Sequence, residues 1–164
     1  PRTSSAASDV YKRQLYISSF ASFKISNLKN LYLKRPVANI STDSDTLNDH
    51  IIERILDKKG IDVIKLDLRK LPEAVTDFFI ICHGDSSTQV KAIADNVLKE
   101  IKEKLGERPW QTEGQQNAEW ILVDYVSTVV HVFHKEKREF YQLEELWSDA
   151  KITKYSEEFT ATPA

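Results

Sequence analysis

Apolar positions along this chain repeat in two periods, and the switches between them set the element order. Leu47, Ile51 and Ile55 recur at helical spacing, with Ile52 and Leu56 one step off. That predicts an amphipathic helix over about residues 45–59. Thr46 followed by Asp49 fits a capping box, and Lys58-Lys59 before Gly60 is a stop signal. Ile64, Leu66 and Leu68 then alternate with Lys65 and Asp67, as in a half-buried strand over 62–68. Leu71-Pro72-Glu73 reads as a turn. Phe78 to Cys82 is short and continuously apolar. Such a run is a strand buried on both faces, hence central in a sheet covered by helices.

His83-Gly84-Asp85-Ser86-Ser87 reads as a loop with several candidate N-caps. A long helix follows, with Val90, Ile93, Ala94, Val97, Leu98, Ile101 and Leu105 on one face and Gly106 closing it. Trp110 to Glu113 is a short strand ended by Gly114. Trp120–Val126 and Val129–His134, joined through Ser127 and Thr128, make an antiparallel hairpin. Glu136 to Trp147 is a last helix, with Phe140, Leu143 and Trp147 in register. The sum is one α/β (α+β) domain over 44–152, a mixed sheet flanked by helices, with residues 153–164 as a flexible tail.

Residues 1–42 differ from this pattern. They are serine-rich and carry seven basic residues, among them Lys34 and Arg35, against the single acid Asp9. A mitochondrial or plastid transit segment has this composition. The opening PRTSSAASDVYKRQ resembles a translated adapter, however, and the sequence contains no methionine. A non-native, disordered leader is the expected reading, although apolar residues recur irregularly from Phe20 to Leu33.

Charge narrows the function. A net charge of -2 with a pI near 6.1 argues against a domain that coats nucleic acid by neutralising phosphates, while a local RNA contact stays open. One cysteine, Cys82, excludes an internal disulfide and suits a reducing compartment. No apolar run approaches a membrane span, so no membrane contact is expected.

Chemistry is sparse. His131 and His134 are an odd number of residues apart on a strand and point to opposite faces, so they cannot share a metal. Cys82 and His83 are adjacent and face apart, a poor nucleophile–base pair, and Cys82 reads as a small buried thiol. Gly84 to Ser87 lies between a strand and a helix, where anions bind, but lacks the phosphate-loop and dinucleotide patterns. A nucleotidyltransferase would need two carboxylates two apart on a strand to hold metal ions. No such pair follows this loop: Asp62 and Asp67 are out of phase, and Asp124 is followed two residues on by Val126. Ser86 and Ser87 are better read as helix caps.

The hairpin is more suggestive. Alternation puts Trp120, Leu122 and Asp124 on one face and Ile121, Val123 and Tyr125 on the other. On spacing alone Trp120 fills the core, as most tryptophans do. An interface anchor stays open, since large aromatics at interface centres carry disproportionate binding energy.

Five stretches then carry a family resemblance. They are Thr76 to Cys82; Gly84 to Ser87 running on to Gln89-Val90; Gly114 with Ala118 to Asp124; Val129 to Phe133; and Arg138 to Trp147. In order and spacing the chain resembles the ribosomal silencing factor (Iojap-like) family from about Asn48 to Ile152. The resemblance implies a non-catalytic translational repressor without cofactor or metal. Such a protein binds universal large-subunit protein fourteen on the large ribosomal subunit and bars the small subunit. It implies a fold like that of nucleotidyltransferases without their catalytic carboxylates, which agrees with the missing acid pair. It places Trp120 at the ribosomal-protein contact, with Asp124 nearby. Leu122 would complete the apolar part, while Glu113, Glu119 and Asp124 would complement a basic partner. Ribosomal RNA would be a minor contact, and self-association of family members leaves a homodimer open. The expected compartment is the bacterial cytoplasm, or an organelle if residues 1–42 are a transit segment. The rival readings are a nucleotidyltransferase-like enzyme acting on nucleotide or RNA, and a plain RNA-binding module.

Overall fold

The computed structural model describes residues 42–72, 74, 76–156 and 161–163. In chain order the elements are α1 (Ser44–Asp57), β1 (Ile61–Asp67), β2 (Phe78–Gly84), α2 (Ser87–Leu105), β3 (Gln111–Glu113), β4 (Trp120–Asp124), β5 (Thr128–His134), α3 (Lys135–Tyr141), α4 (Leu143–Leu146), β6 (Lys151–Tyr155) and β7 (Ala161–Pro163). The strands form one mixed sheet in the order β3-β4-β5-β2-β1-β6-β7. Only the central β2–β5 pair is parallel, and the chain crosses between them through α2, β3 and β4.

Period-two alternation gives this sheet two apolar faces. Val63, Ile80, Cys82, Ile121, Val123, Val130 and Val132 project to one side and are covered by α1 and α2. Ile64, Leu66, Phe79, Ile81, Trp120, Leu122, Val129 and Phe133 project to the other, beneath Leu143, Tyr141, Leu146 and Trp147. All of β2 is buried, as its unbroken apolar run requires. A mixed sheet flanked by helices is therefore the architecture, as the alternating periods predict.

Several boundaries differ from expectation, each for a local reason. The N-cap of α1 is Asp43, whose carboxylate accepts from the Thr46 N–H at 3.3 Å; Thr46 is already inside the helix. At its end Lys59 takes the left-handed turn (φ 59). Gly60 follows because a Cβ there would collide with Ile55. His83 and Gly84 belong to β2, not to a loop, because they pair with Phe133 and His134 of β5. Ser86 is the N-cap of α2, accepting from the Gln89 N–H at 3.1 Å, and Gly106 closes that helix in the left-handed region. The β4–β5 connection is Tyr125-Val126-Ser127, since Thr128 is already paired in β5.

The last helix is broken in two. Gln142 adopts φ 47, and its N–H closes α3 by donating to the Arg138 carbonyl. The turn lets Leu143 drop onto the sheet, while Phe140 remains 40% exposed, so the two do not share a face. Residues after 152 are not a frayed tail from the outset: Lys151–Tyr155 is a strand pairing with β1, and Ala161–Pro163 pairs with it in turn. The leader at 1–41 lies outside the described residues. Among the described residues no helix is long and apolar enough to cross a membrane.

Candidate functional site

The β3–β4 corner brings four of the five predicted contact residues onto one face. Antiparallel pairing sets Glu113 opposite Leu122 and Gln111 opposite Asp124, and residues directly opposite point to the same side. Trp120, Leu122 and Asp124 follow at alternate positions, with Ile121, Val123 and Tyr125 on the other face as alternation requires. Glu119 stands just outside β4, exposed, with Lys137 of α3 at 3.6 Å.

Trp120 is enclosed, at 6% exposure. Its indole lies 4.6 Å from the Phe133 ring and 5.1 Å from Tyr141. The indole N–H donates to Nδ1 of His131 at 3.1 Å. An indole N–H can only donate, so Nδ1 accepts and the His131 proton sits on Nε2. Phe79 meets His131 edge-on at 4.7 Å and Trp147 at 5.7 Å, extending the aromatic layer beneath α4. His131 was legible as a strand residue facing away from His134, but its role as the partner of Trp120 depends on the β4–β5 register, which no local pattern states.

Leu122 and Asp124 are also buried. Asp124 accepts from the Val126 N–H at 2.7 Å, holding Val126 at φ 75 in the turn. Glu113 is half-buried and accepts from Gln111 Nε2 at 2.6 Å. The large apolar groups that do reach solvent, among the described residues, are Trp110 and Phe140. The backbone N–H of Trp110 donates to the Asp124 carbonyl at 2.7 Å, at one end of β4. Phe140 meets Tyr141 edge-on at 5.0 Å, toward the Trp120 end. The corner thus has a buried indole beneath, exposed aromatics at both ends and the acids Glu113 and Glu119 along it.

Gly114 locks this corner. It holds φ 82, and a Cβ there would fall well inside contact distance of the Trp120 carbonyl oxygen. Gly114→Ala should therefore destabilise the domain by more than about 1 kcal/mol, read as a lower urea midpoint at constant slope.

The loop after β2 is filled by the protein itself. Gln89 Oε1 accepts from the Asp85 N–H at 2.9 Å, and Gln89 Nε2 donates to the Lys59 carbonyl at 2.9 Å. One N–H of this loop, that of Asp85, is thereby used, and the side chain ties α2 to the end of α1. Cys82 faces α1 and α2, fully buried, and burial pushes its thiol up to about 12. His83 projects to the opposite face, so the two do not meet. Among the described residues no three ligating side chains gather as a metal site would need.

Residues 41–163 match the family model described as "Ribosomal silencing factor during starvation". The chain is 46% identical over 99 residues to a ribosomal silencing factor of Bacillus subtilis, covering 58% of this chain and 80% of that protein. It is 41% identical over 102 residues to a ribosomal silencing factor of Haemophilus influenzae, covering 62% of this chain and 98% of the other. A crystal structure of a protein from Chromobacterium violaceum superposes with a TM-score of 0.62 at 37% identity, covering 65% of this chain and 88% of that one.

Proposed function

Because the chain belongs to the ribosomal silencing factor family, we propose that it represses translation by binding universal large-subunit protein fourteen and keeping the small subunit away by bulk. The observation that carries this reading is the extent of the family match, which spans the whole described domain. The contact is the β3–β4 corner. Glu113 and Glu119 meet a basic surface and steer the encounter. Trp120, Leu122 and Asp124 act from beneath: they hold the backbone and the neighbouring Tyr141 and Phe140 in the shape the partner meets. Repression then needs affinity and placement, and no bond is made or broken. The place of action is the cytoplasm of a bacterium, in keeping with the bacterial relatives.

Gln89 favours this over the nucleotidyltransferase-like reading, because its carboxamide takes the Asp85 N–H in front of the loop where a phosphate would lie. The two readings separate in one experiment. Purified protein is mixed with isolated large subunits and sedimented, small subunits are added, and nucleotide with Mg²⁺ is offered in parallel. Co-migration with large subunits and loss of subunit joining are expected. Failure to co-migrate, or turnover of the nucleotide, would remove the proposal.

A further inference from the structure

At the Gly84 end of β2 a cluster of polar groups closes beneath α3. Arg138, 8% exposed, donates from Nη1 to the Asp62 carbonyl at 2.7 Å and the Ile61 carbonyl at 3.3 Å. Its Nε donates to Glu144 at 3.0 Å. Nη1 also lies 3.0 Å from Nδ1 of His83, which is itself 7% exposed. A guanidinium has no acceptor, so Nδ1 of His83 must accept and the ring must be neutral with its proton on Nε2. One side chain therefore ties together the irregular start of β1, where Asp62 holds φ 47, the end of β2, and α3 and α4.

We propose that this contact is a proton-operated latch: neutral His83 locks Arg138, and with it α3 and α4, onto the sheet, and protonation of His83 releases them. Adding a proton at Nδ1 removes the acceptor and sets two cations face to face. The proton has a route, because His83 lines an open groove of about 930 Å³. The charges facing His83 come from each element around it. They are Asp62 of β1, Asp85 after β2, and Lys135 and Arg138 of α3. Glu139, Glu144, Glu145 and Lys154 line the same groove. Asp62 and Asp85 favour the charged ring, but burial first and Arg138 second outweigh them and hold His83 below the ordinary histidine value. A lowered folded value means that the stabilisation is complete above about 6.5, the unfolded value, and is lost as pH falls from there through the folded value. What loosens is the cover of one sheet face, where Tyr141, Leu143 and Trp147 lie. The helices α1 and α2 on the other face hold no part of the latch.

The test is hydrogen exchange of the full chain at neutral and mildly acidic pH, corrected for intrinsic rates, alongside an NMR titration of the His83 ring. In the wild type, residues 135–147 should lose protection as His83 titrates, while residues 87–105 keep theirs. His83→Asn, whose amide oxygen accepts from Arg138 but takes no proton, should show no such loss. The latch is wrong if His83 titrates at or above the ordinary value, if both proteins lose protection alike, or if the loss spreads equally to α2. Should His83→Asn not fold, coincidence of the wild-type ring titration with the selective loss at 135–147 decides.

Discussion

Replacing Arg138 by alanine is expected to destabilise the domain by about 3 kcal/mol, the lower end of the range for removing one partner of a buried ion pair, because Glu144 is only partly buried. The cost has two sources. The Glu144 carboxylate, with its side chain 27% exposed, loses the cation 3.0 Å away. The carbonyls of Ile61 and Asp62 and Nδ1 of His83 lose a charged donor that water entering from the groove replaces only in part. Arg138→Lys keeps the charge but not the fork that reaches these groups, so it should recover a minority of the loss. Pairing Arg138→Met with Glu144→Leu removes both charges and should recover more than either single change predicts, since a buried pair replaced by apolar groups is often neutral. Recovery should stay incomplete, because the β1 carbonyls remain without their donor. Urea unfolding with an unchanged slope measures each of these proteins against the wild type. A loss under about 1 kcal/mol for Arg138→Ala would mean that water already serves these groups.

Arg138 also shows where sequence reasoning stops. The helical period around it was readable, but its partners are 76 residues away at Asp62 and 55 away at His83. A buried arginine in a charged stretch such as Lys135-Glu136-Lys137-Arg138 looks like a solvated face. The central strands were legible because Phe78 to Cys82 is apolar without interruption and Val129 to Phe133 is broken only by His131, and burial on both faces leaves no other solution. The hairpin faces were legible for a related reason, since a period of two leaves no freedom once the strand is given. β6 was missed because Lys151 and Lys154 interrupt Ile152, Thr153 and Tyr155. Its neighbour β7 is three residues long, and lysines on a strand near the sheet's margin guard against pairing with other chains at the expense of an apolar signal. The break at Gln142 was missed because a left-handed residue that is not glycine leaves no mark in composition.

Trp120→Ala should produce two separable losses, and their separation bears on the proposed contact. Truncating a buried tryptophan costs about 3–5 kcal/mol of stability, and here it also leaves Nδ1 of His131 without its 3.1 Å donor and strips one side of Tyr141. If the β3–β4 corner is the ribosomal contact, affinity of the folded fraction should fall as well, by about 2 kcal/mol or more, roughly thirtyfold. The ring is 6% exposed, so the affinity loss would come from collapse of the surface it supports and not from a missing ring contact. Two milder changes test that distinction. Trp120→Phe keeps most of the apolar volume, so it should lose stability through the missing N–H yet bind nearly as well. Phe140→Ala removes a 40% exposed ring, so it should leave stability almost unchanged and weaken binding directly. Calorimetry with purified universal large-subunit protein fourteen, corrected for the folded fraction of each variant, gives the comparison. If well-folded Trp120→Ala and Phe140→Ala proteins both bind as tightly as the wild type, the contact lies elsewhere on the molecule. If Trp120→Phe loses as much affinity as Trp120→Ala, the indole N–H and its hold on His131 matter more than the ring's bulk, and the corner works by fixing a geometry that packing alone does not define.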